Sequence, residues 1–160
     1  MAILRTQWVD DDGSGTLGTV INNAEKQILY DQIDIAVQDW VDISFNAANF
    51  VGTTGGSWTV TAAGITANVY QLHGRMRTYW LNMNSNGNTV VGAPVFLNVT
   101  LPFTSVRSVG TPFHYWGAVS GTGIADIQPS SSTLNLLRDI GGTAWAAGVY
   151  NFRVQIHIPA

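Results

Sequence analysis

The chain contains no cysteine in its 160 residues. A disulfide framework, thiolate chemistry and a cysteine-ligated zinc site are therefore excluded. Charge is scarce as well. Asp, Glu, Lys and Arg make up 11% of the sequence, against about 25% in an average soluble domain. Glutamate occurs once, at Glu25, and beyond Trp40 the only acidic side chains are Asp42, Asp126 and Asp139. A glycosidase needs two carboxylates facing one bond, so this poverty argues against a hydrolase. The nearest approach to a basic cluster is Arg75 and Arg77, and the net charge is −3. Binding through phosphate neutralisation, and with it a nucleic-acid partner, is not expected. Apolar runs fall well short of the ~20 residues of a membrane helix, and MAILRTQWVDDD lacks the apolar core of a signal peptide. Membrane insertion is not expected.

Motifs that carry chemistry are equally sparse. His73, His114 and His157 fall in three different predicted strands, with no carboxylate or second histidine at ligand spacing. No metal site and no cofactor is expected from that pattern. Asp10, Asp12, Ser14 and Gly15 resemble the start of a calcium loop, but the twelfth position would be Ile21, where a bidentate glutamate is required. An ordinary polar turn fits better. There is no G-x-S-x-G elbow and no glycine-rich phosphate loop.

What the sequence does have is one helical stretch and a long β-rich remainder. Asp10 to Gly15 is turn composition. Asn22 with Glu25 approximates a capping box. Ile21, Ala24, Ile28 and Ile35 then form one apolar row at helical spacing, and Leu29, Ile33, Ala36 and Trp40 a second. A helix lying on one sheet needs a single stripe. Two rows fit either two partners, one of them a symmetry mate, or a helix buried on several sides in one domain. Ahead of it, MAILRTQWV is an apolar arm that either folds back or docks on a partner.

From residue 41 the pattern is strand and turn. Alternation marks 41–46, 57–62, 68–74, 75–84, 95–102, 113–120, 123–129, 133–139 and 149–158. In the last of these Tyr150, Phe152, Val154, Ile156 and Ile158 face one way, and Asn151, Arg153, Gln155 and His157 the other. Ser85 to Asn88 is a hairpin-type turn with Asn-Gly at its centre. Eight or nine strands at this spacing predict an antiparallel β-sandwich of jelly-roll type, with the last strand central. The predicted fold class is thus mainly β, a jelly-roll-like antiparallel β-sandwich preceded by one N-terminal α-helix.

Aromatics are the remaining candidates for contact. Tyr79-Trp80 and Tyr115-Trp116 are adjacent pairs, so each strand points one ring inward and one outward. Trp80, Tyr115 and Trp116 are the candidate ligand-contact aromatics, through stacking on sugar faces or filling a subunit interface.

The opening WVDDDGSGTLGTVINNAEKQILYDQIDIA is similar to a segment near the N-termini of tailed-bacteriophage virion proteins, where D-G-[ST]-G-T-x-G-T-V-[IF]-N leads into a short helix. The matching residues are Asp12, Gly13, Ser14, Gly15, Thr16, Gly18, Thr19, Val20, Ile21 and Asn22. SWTVTAAGITANVYQLHGRMRTYWLNM, then VGAPVFLNVTLP, then FRVQIHI resemble the small β-domains that follow such segments. The resemblance implies a non-enzymatic, homotrimeric virion component, either a capsid decoration or head-fibre protein or a tail-fibre or receptor-binding protein. Residues 1–40 would then attach and trimerise, with Ile21, Ala24, Ile28 and Ile35 at the trimer interface, and residues 41–160 would form the head. Expected partners are the chain itself, capsid or tail proteins, and a host surface glycan. The alternative reading is a stand-alone, lectin-like carbohydrate-binding module.

Overall fold

A computed structural model describes residues 39–160. The helix expected within 10–40, with Ile21, Ala24, Ile28 and Ile35, lies outside the described residues, save Asp39 and Trp40, which are irregular. Among the described residues there is no α-helix, only single 3-10 turns at Ala47–Asn49 and Ala62–Gly64.

Eleven strands make the remainder: β1 Val41–Asp42, β2 Phe50–Gly52, β3 Gly56–Val60, β4 Ile65–His73, β5 Met76–Met83, β6 Asn88–Gly92, β7 Phe96–Thr100, β8 Val109–Gly117, β9 Gly121–Ile127, β10 Thr133–Leu137 and β11 Gly148–Pro159. All pairs are antiparallel, in the order β1-β4-β5-β11-β8-β9-β10-β7-β2. A side branch, β3-β6, joins the start of β11, where Gly148 and Val149 pair with Val90 and Thr89. The sheet curls on itself. β2 at its end turns through Thr53–Gly56 into β3, and a Cβ on Gly52 would meet the Ser57 backbone at 2.7 Å. The expectation of a mainly β antiparallel fold with a central last strand holds, since β11 pairs with β5, β8 and β6.

The predicted alternation puts the core where it should be. Tyr79, Leu81 and Met83 of β5, Leu97 and Val99 of β7, and Tyr150, Phe152, Val154, Ile156 and Ile158 of β11 are all buried. Trp145 enters the core from the loop before β11. It packs edge-on against Tyr115, Tyr150 and Phe152, and its indole N–H donates to the Leu136 carbonyl at 3.1 Å. Burial of such rings is the main stabilising contribution, and their edge-to-face geometry adds about 0.5–1.5 kcal/mol per pair.

Three local readings change. The stretch 41–46 keeps strand geometry only at Val41–Asp42, and Phe45 instead stacks on Phe50 beyond the sheet edge. The short strands β2 and β6 had no alternation long enough to read. The Ser85–Asn88 turn does not close a hairpin: β6 leaves β5 and pairs with β3 and β11. The turn is held sideways, because the Thr61 N–H donates to the Gly87 carbonyl at 2.8 Å and the Asn84 N–H to the Gly64 carbonyl at 2.9 Å. By contrast β4 and β5 do form a tight hairpin, with Gly74 at φ 57 first in a two-residue loop, the position where positive φ calls for glycine.

Candidate functional site

The candidate aromatics separate by parity. In β8, Phe113 and Tyr115 point inward while His114 and Trp116 point outward. Tyr115 is 6% exposed and packs on Trp145 at 4.9 Å between ring centroids. It is a core residue, which corrects the assignment of Tyr115 as a surface contact. Trp80 is 42% exposed and Trp116 38%. Trp58, Tyr79, Trp145 and Tyr150 are buried.

Strand register brings Trp80 and Trp116 onto one outer face, on opposite sides of β11. Trp80 stands across from Gln155 of β11 and Val69 of β4. Trp116 stands across from Asn151 of β11. The four-residue step from Asn151 to Gln155, and two strand spacings, separate the two tryptophan Cα atoms by roughly 16 Å at ~3.3 Å rise and ~4.8 Å between strands. Between them lies Arg153, directly opposite Asn82 on one side and His114 on the other. Its guanidinium carbon sits 5.3 Å from the Trp116 ring centroid. That is cation–π range, which steadies both groups. Among the described residues Arg153 makes no hydrogen bond and no ion pair.

The rim of this face is polar. His157 Nδ1 and the Thr78 hydroxyl are 2.9 Å apart, as are His73 Nε2 and Gln71 Oε1. His114 Nδ1 lies 3.4 Å from the Thr122 hydroxyl. Trp40 meets Trp80 edge-on, with ring centroids 6.1 Å apart. No Asp or Glu occurs in β4, β5, β8 or β11.

Beneath the face the support is rigid. The Tyr79 hydroxyl donates to Asn68 Oδ1 at 2.8 Å, and burial pushes its pKa far above the ordinary phenol value. The Tyr150 hydroxyl donates to the Ala146 carbonyl at 3.0 Å, and its pKa is also raised by burial. Asn88 is fully buried, accepting from the Trp58 indole N–H and donating to the Tyr150 carbonyl at 2.8 Å.

The other half of the sheet carries an outer row of Asn98, Asn135 and Asp126, in register on β7, β10 and β9. The Asn98 Oδ1 atom is buried without a partner. No group of three His, Asp or Glu able to hold a metal ion occurs among the described residues, and no helix among them is long and apolar enough to cross a membrane. Asp139 is exposed in the loop after β10, with a pKa lowered chiefly by hydrogen bonds from Thr143.

Sequence reading found Trp80 and Trp116 but not their relation. It placed Arg153, Gln155 and His157 together on one face of the last strand, without the register that sets Arg153 between the two tryptophans. Trp40 it assigned to a helix. Comparison with known proteins adds nothing to this picture: no family model, no curated protein and no solved structure matches the chain.

Proposed function

We propose that the protein is a non-enzymatic structural component of a tailed-phage particle. It acts as a homotrimer, with residues 1–40 attaching to the particle and trimerising, and a jelly-roll-like head of residues 41–160. The work is done by surface contact, as a capsid decoration or head-fibre protein or as a tail-fibre or receptor-binding protein. The reading draws on the D-G-S-G-T segment and its following apolar rows. The observation that carries it is at the start of the head: Trp40 rests on Trp80 at an outer face that also exposes Trp116. A domain built this way offers a broad convex surface carried on a strong core, which suits contact with large partners.

Immunogold labelling of purified virions tests it. Label over the head identifies a decoration or head-fibre role, and label at the tail tip a receptor-binding role. Particles without label would remove the virion reading. Trimerisation has its own test. Ile28→Asp should reduce the mass by light scattering to that of one chain while leaving the β circular-dichroism signal unchanged, and an unchanged oligomer would exclude the proposed trimer interface. The second reading, a stand-alone carbohydrate-binding module, is favoured by one specific observation: two exposed tryptophans flank an arginine on one outer sheet face.

A further inference from the structure

We infer that the outer face of β4, β5, β11 and β8 binds an acidic polysaccharide, with Trp80 and Trp116 as stacking platforms and Arg153 as the carboxylate-binding group. This specifies a ligand for the aromatic face, so it stands whether the head is displayed on a particle or acts alone. Its failure leaves the particle assignment intact.

Three features converge. First, the rings are spaced for an extended ligand. Trp80 and Trp116 lie diagonally across β11, too far apart for one sugar and suited to a short run of them. Aromatic faces stack on the C–H faces of pyranoses while excluding water, and indoles do so with little loss of side-chain freedom. Second, the side chains between the rings match sugar chemistry. Asn82 and Gln155 carry amides able to donate to and accept from hydroxyls, and Arg153 stands at the midpoint. The guanidinium lies over Trp116 and makes no ion pair among the described residues, so its planar fork is oriented yet uncommitted. Such a fork matches a carboxylate bidentately. Third, the outer side chains of these four strands include one arginine, Arg153, with His114 and His157, and no acid; Arg77, opposite Ile158, belongs to the inner face, and the acid Asp42 stands on β1, across from Val69. A neutral glycan would leave the central arginine unmatched, whereas uronic or sialic acid units match it at a regular interval.

A second copy of the chain is a poorer occupant of this face. Two identical surfaces meeting about a two-fold axis centred on β11 would bring Arg153 toward Arg153, with the acid Asp42 three strands away on β1. The arginine alone does not select among uronic and sialic acids, so the shared chemistry is a carboxylate-bearing pyranose.

The test is affinity electrophoresis and calorimetry of the full chain against polygalacturonate, hyaluronan and polysialic acid, with carboxyl-reduced polygalacturonate and dextran as neutral comparisons. Light scattering is run in parallel. The expected result is binding to at least one carboxylated polymer, weakened by salt and lost on carboxyl reduction. Arg153→Gln should lower affinity at least about tenfold, the scale of one charge-assisted hydrogen bond. Trp80→Ala and Trp116→Ala should each do the same, with the oligomer mass unchanged. Circular dichroism identifies any variant that fails to fold, in which case Trp80→Gln or Arg153→Lys replaces it. Arg153→Lys should retain charge attraction but lose the fork. Binding to none of the three acidic polymers overturns the inference. So does equal binding of the reduced polymer, or binding untouched by all three substitutions. A changed oligomer mass in Arg153→Gln or Trp80→Ala would instead make the face a subunit interface, and would overturn it too.

Discussion

Asn88 offers the sharpest test of how the core is organised. It is a fully buried polar residue at the start of β6, joining Trp58 of β3 to the Tyr150 carbonyl of β11. It therefore ties the side branch of the sheet to its central strand. Asn88→Leu keeps the branched outline but strands two groups, the Trp58 indole N–H and the Tyr150 carbonyl. At about 1–3 kcal/mol for each buried group left without a partner, the cost should be about 2–5 kcal/mol. Trp58→Phe strands only the Asn88 side-chain oxygen and removes part of a ring that packs on Phe50 and Phe152, for about 2–3 kcal/mol. In the double variant neither the indole N–H nor the Asn88 oxygen exists, so two stranded groups disappear from the sum. The double should thus be less destabilised than the sum of the singles by about 2–3 kcal/mol. The assay is urea unfolding at fixed protein concentration, followed by circular dichroism so that loss of Trp58 does not alter the signal. A coupling of that size shifts the midpoint by roughly 0.5–1.5 M at ordinary m values. Singles that add to within about 0.5 kcal/mol would refute the claim that Asn88 and Trp58 act as one unit.

Neighbouring aromatics should behave oppositely. Tyr115→Ala, which empties a buried site against Trp145, should cost about 3–5 kcal/mol in urea unfolding, whereas Trp116→Ala should cost about 1 kcal/mol or less; similar costs would contradict the parity of β8. Gly87 has φ 95, and a Cβ there would sit 1.9 Å from the Thr61 hydroxyl oxygen, so Gly87→Ala should destabilise by at least about 1–2 kcal/mol. Adding Thr61→Ala should relieve the collision while leaving the backbone strain, and a double variant no better than the single would show that the collision is not the cause. Burial raises the folded pKa of Tyr79 and Tyr150 above the ordinary 10.0, so their contribution to stability is whole below that value and is lost as the pH climbs from there through the raised one. The urea midpoint should therefore fall steeply in alkali, and less steeply in Tyr79→Phe; an equal slope in both proteins would remove Tyr79 from the explanation.

Much of the fold was legible because the strands alternate so regularly. β5, β7 and β11 show their buried faces directly in TYWLNM, FLNVT and YNFRVQIHI, a period of two that one half-buried sheet imposes. What could not be read was pairing. Asn86-Gly87 looks like a hairpin turn, yet contacts from Thr61 and Gly64, more than twenty residues upstream, pull β6 away to β3. Such contacts are tertiary and leave no local mark. β2, three residues long, is too short for alternation to register, and the alternation of 41–46 overstates β1, which ends after two residues. Trp145 sits in a loop of Gly, Thr and Ala, and nothing adjacent announces that it will be buried. The same limit governed the site. Trp80 and Trp116 were legible as outward rings, but that they share a face with Arg153 between them follows only from the register of β5, β11 and β8.

That register also explains why the face can serve recognition. Arg153 and Gln155 alternate along β11 with Phe152, Val154 and Ile156, all buried, so the outer side chains are carried on the backbone that the core holds most firmly. β11 is hydrogen-bonded on both edges at Phe152 and Arg153, to β5 and to β8. A surface already ordered before contact loses little conformational entropy on binding. Amide hydrogen exchange tests the premise without any ligand. Amides of residues 152–156 should exchange only through global unfolding, with protection that tracks the urea stability one for one. Those of β1, a two-residue edge strand exposed along its length, should exchange through local opening largely insensitive to urea. If residues 152–156 instead exchange faster than global unfolding permits, β11 opens locally, and the face is ordered by whatever covers it and not by the core beneath.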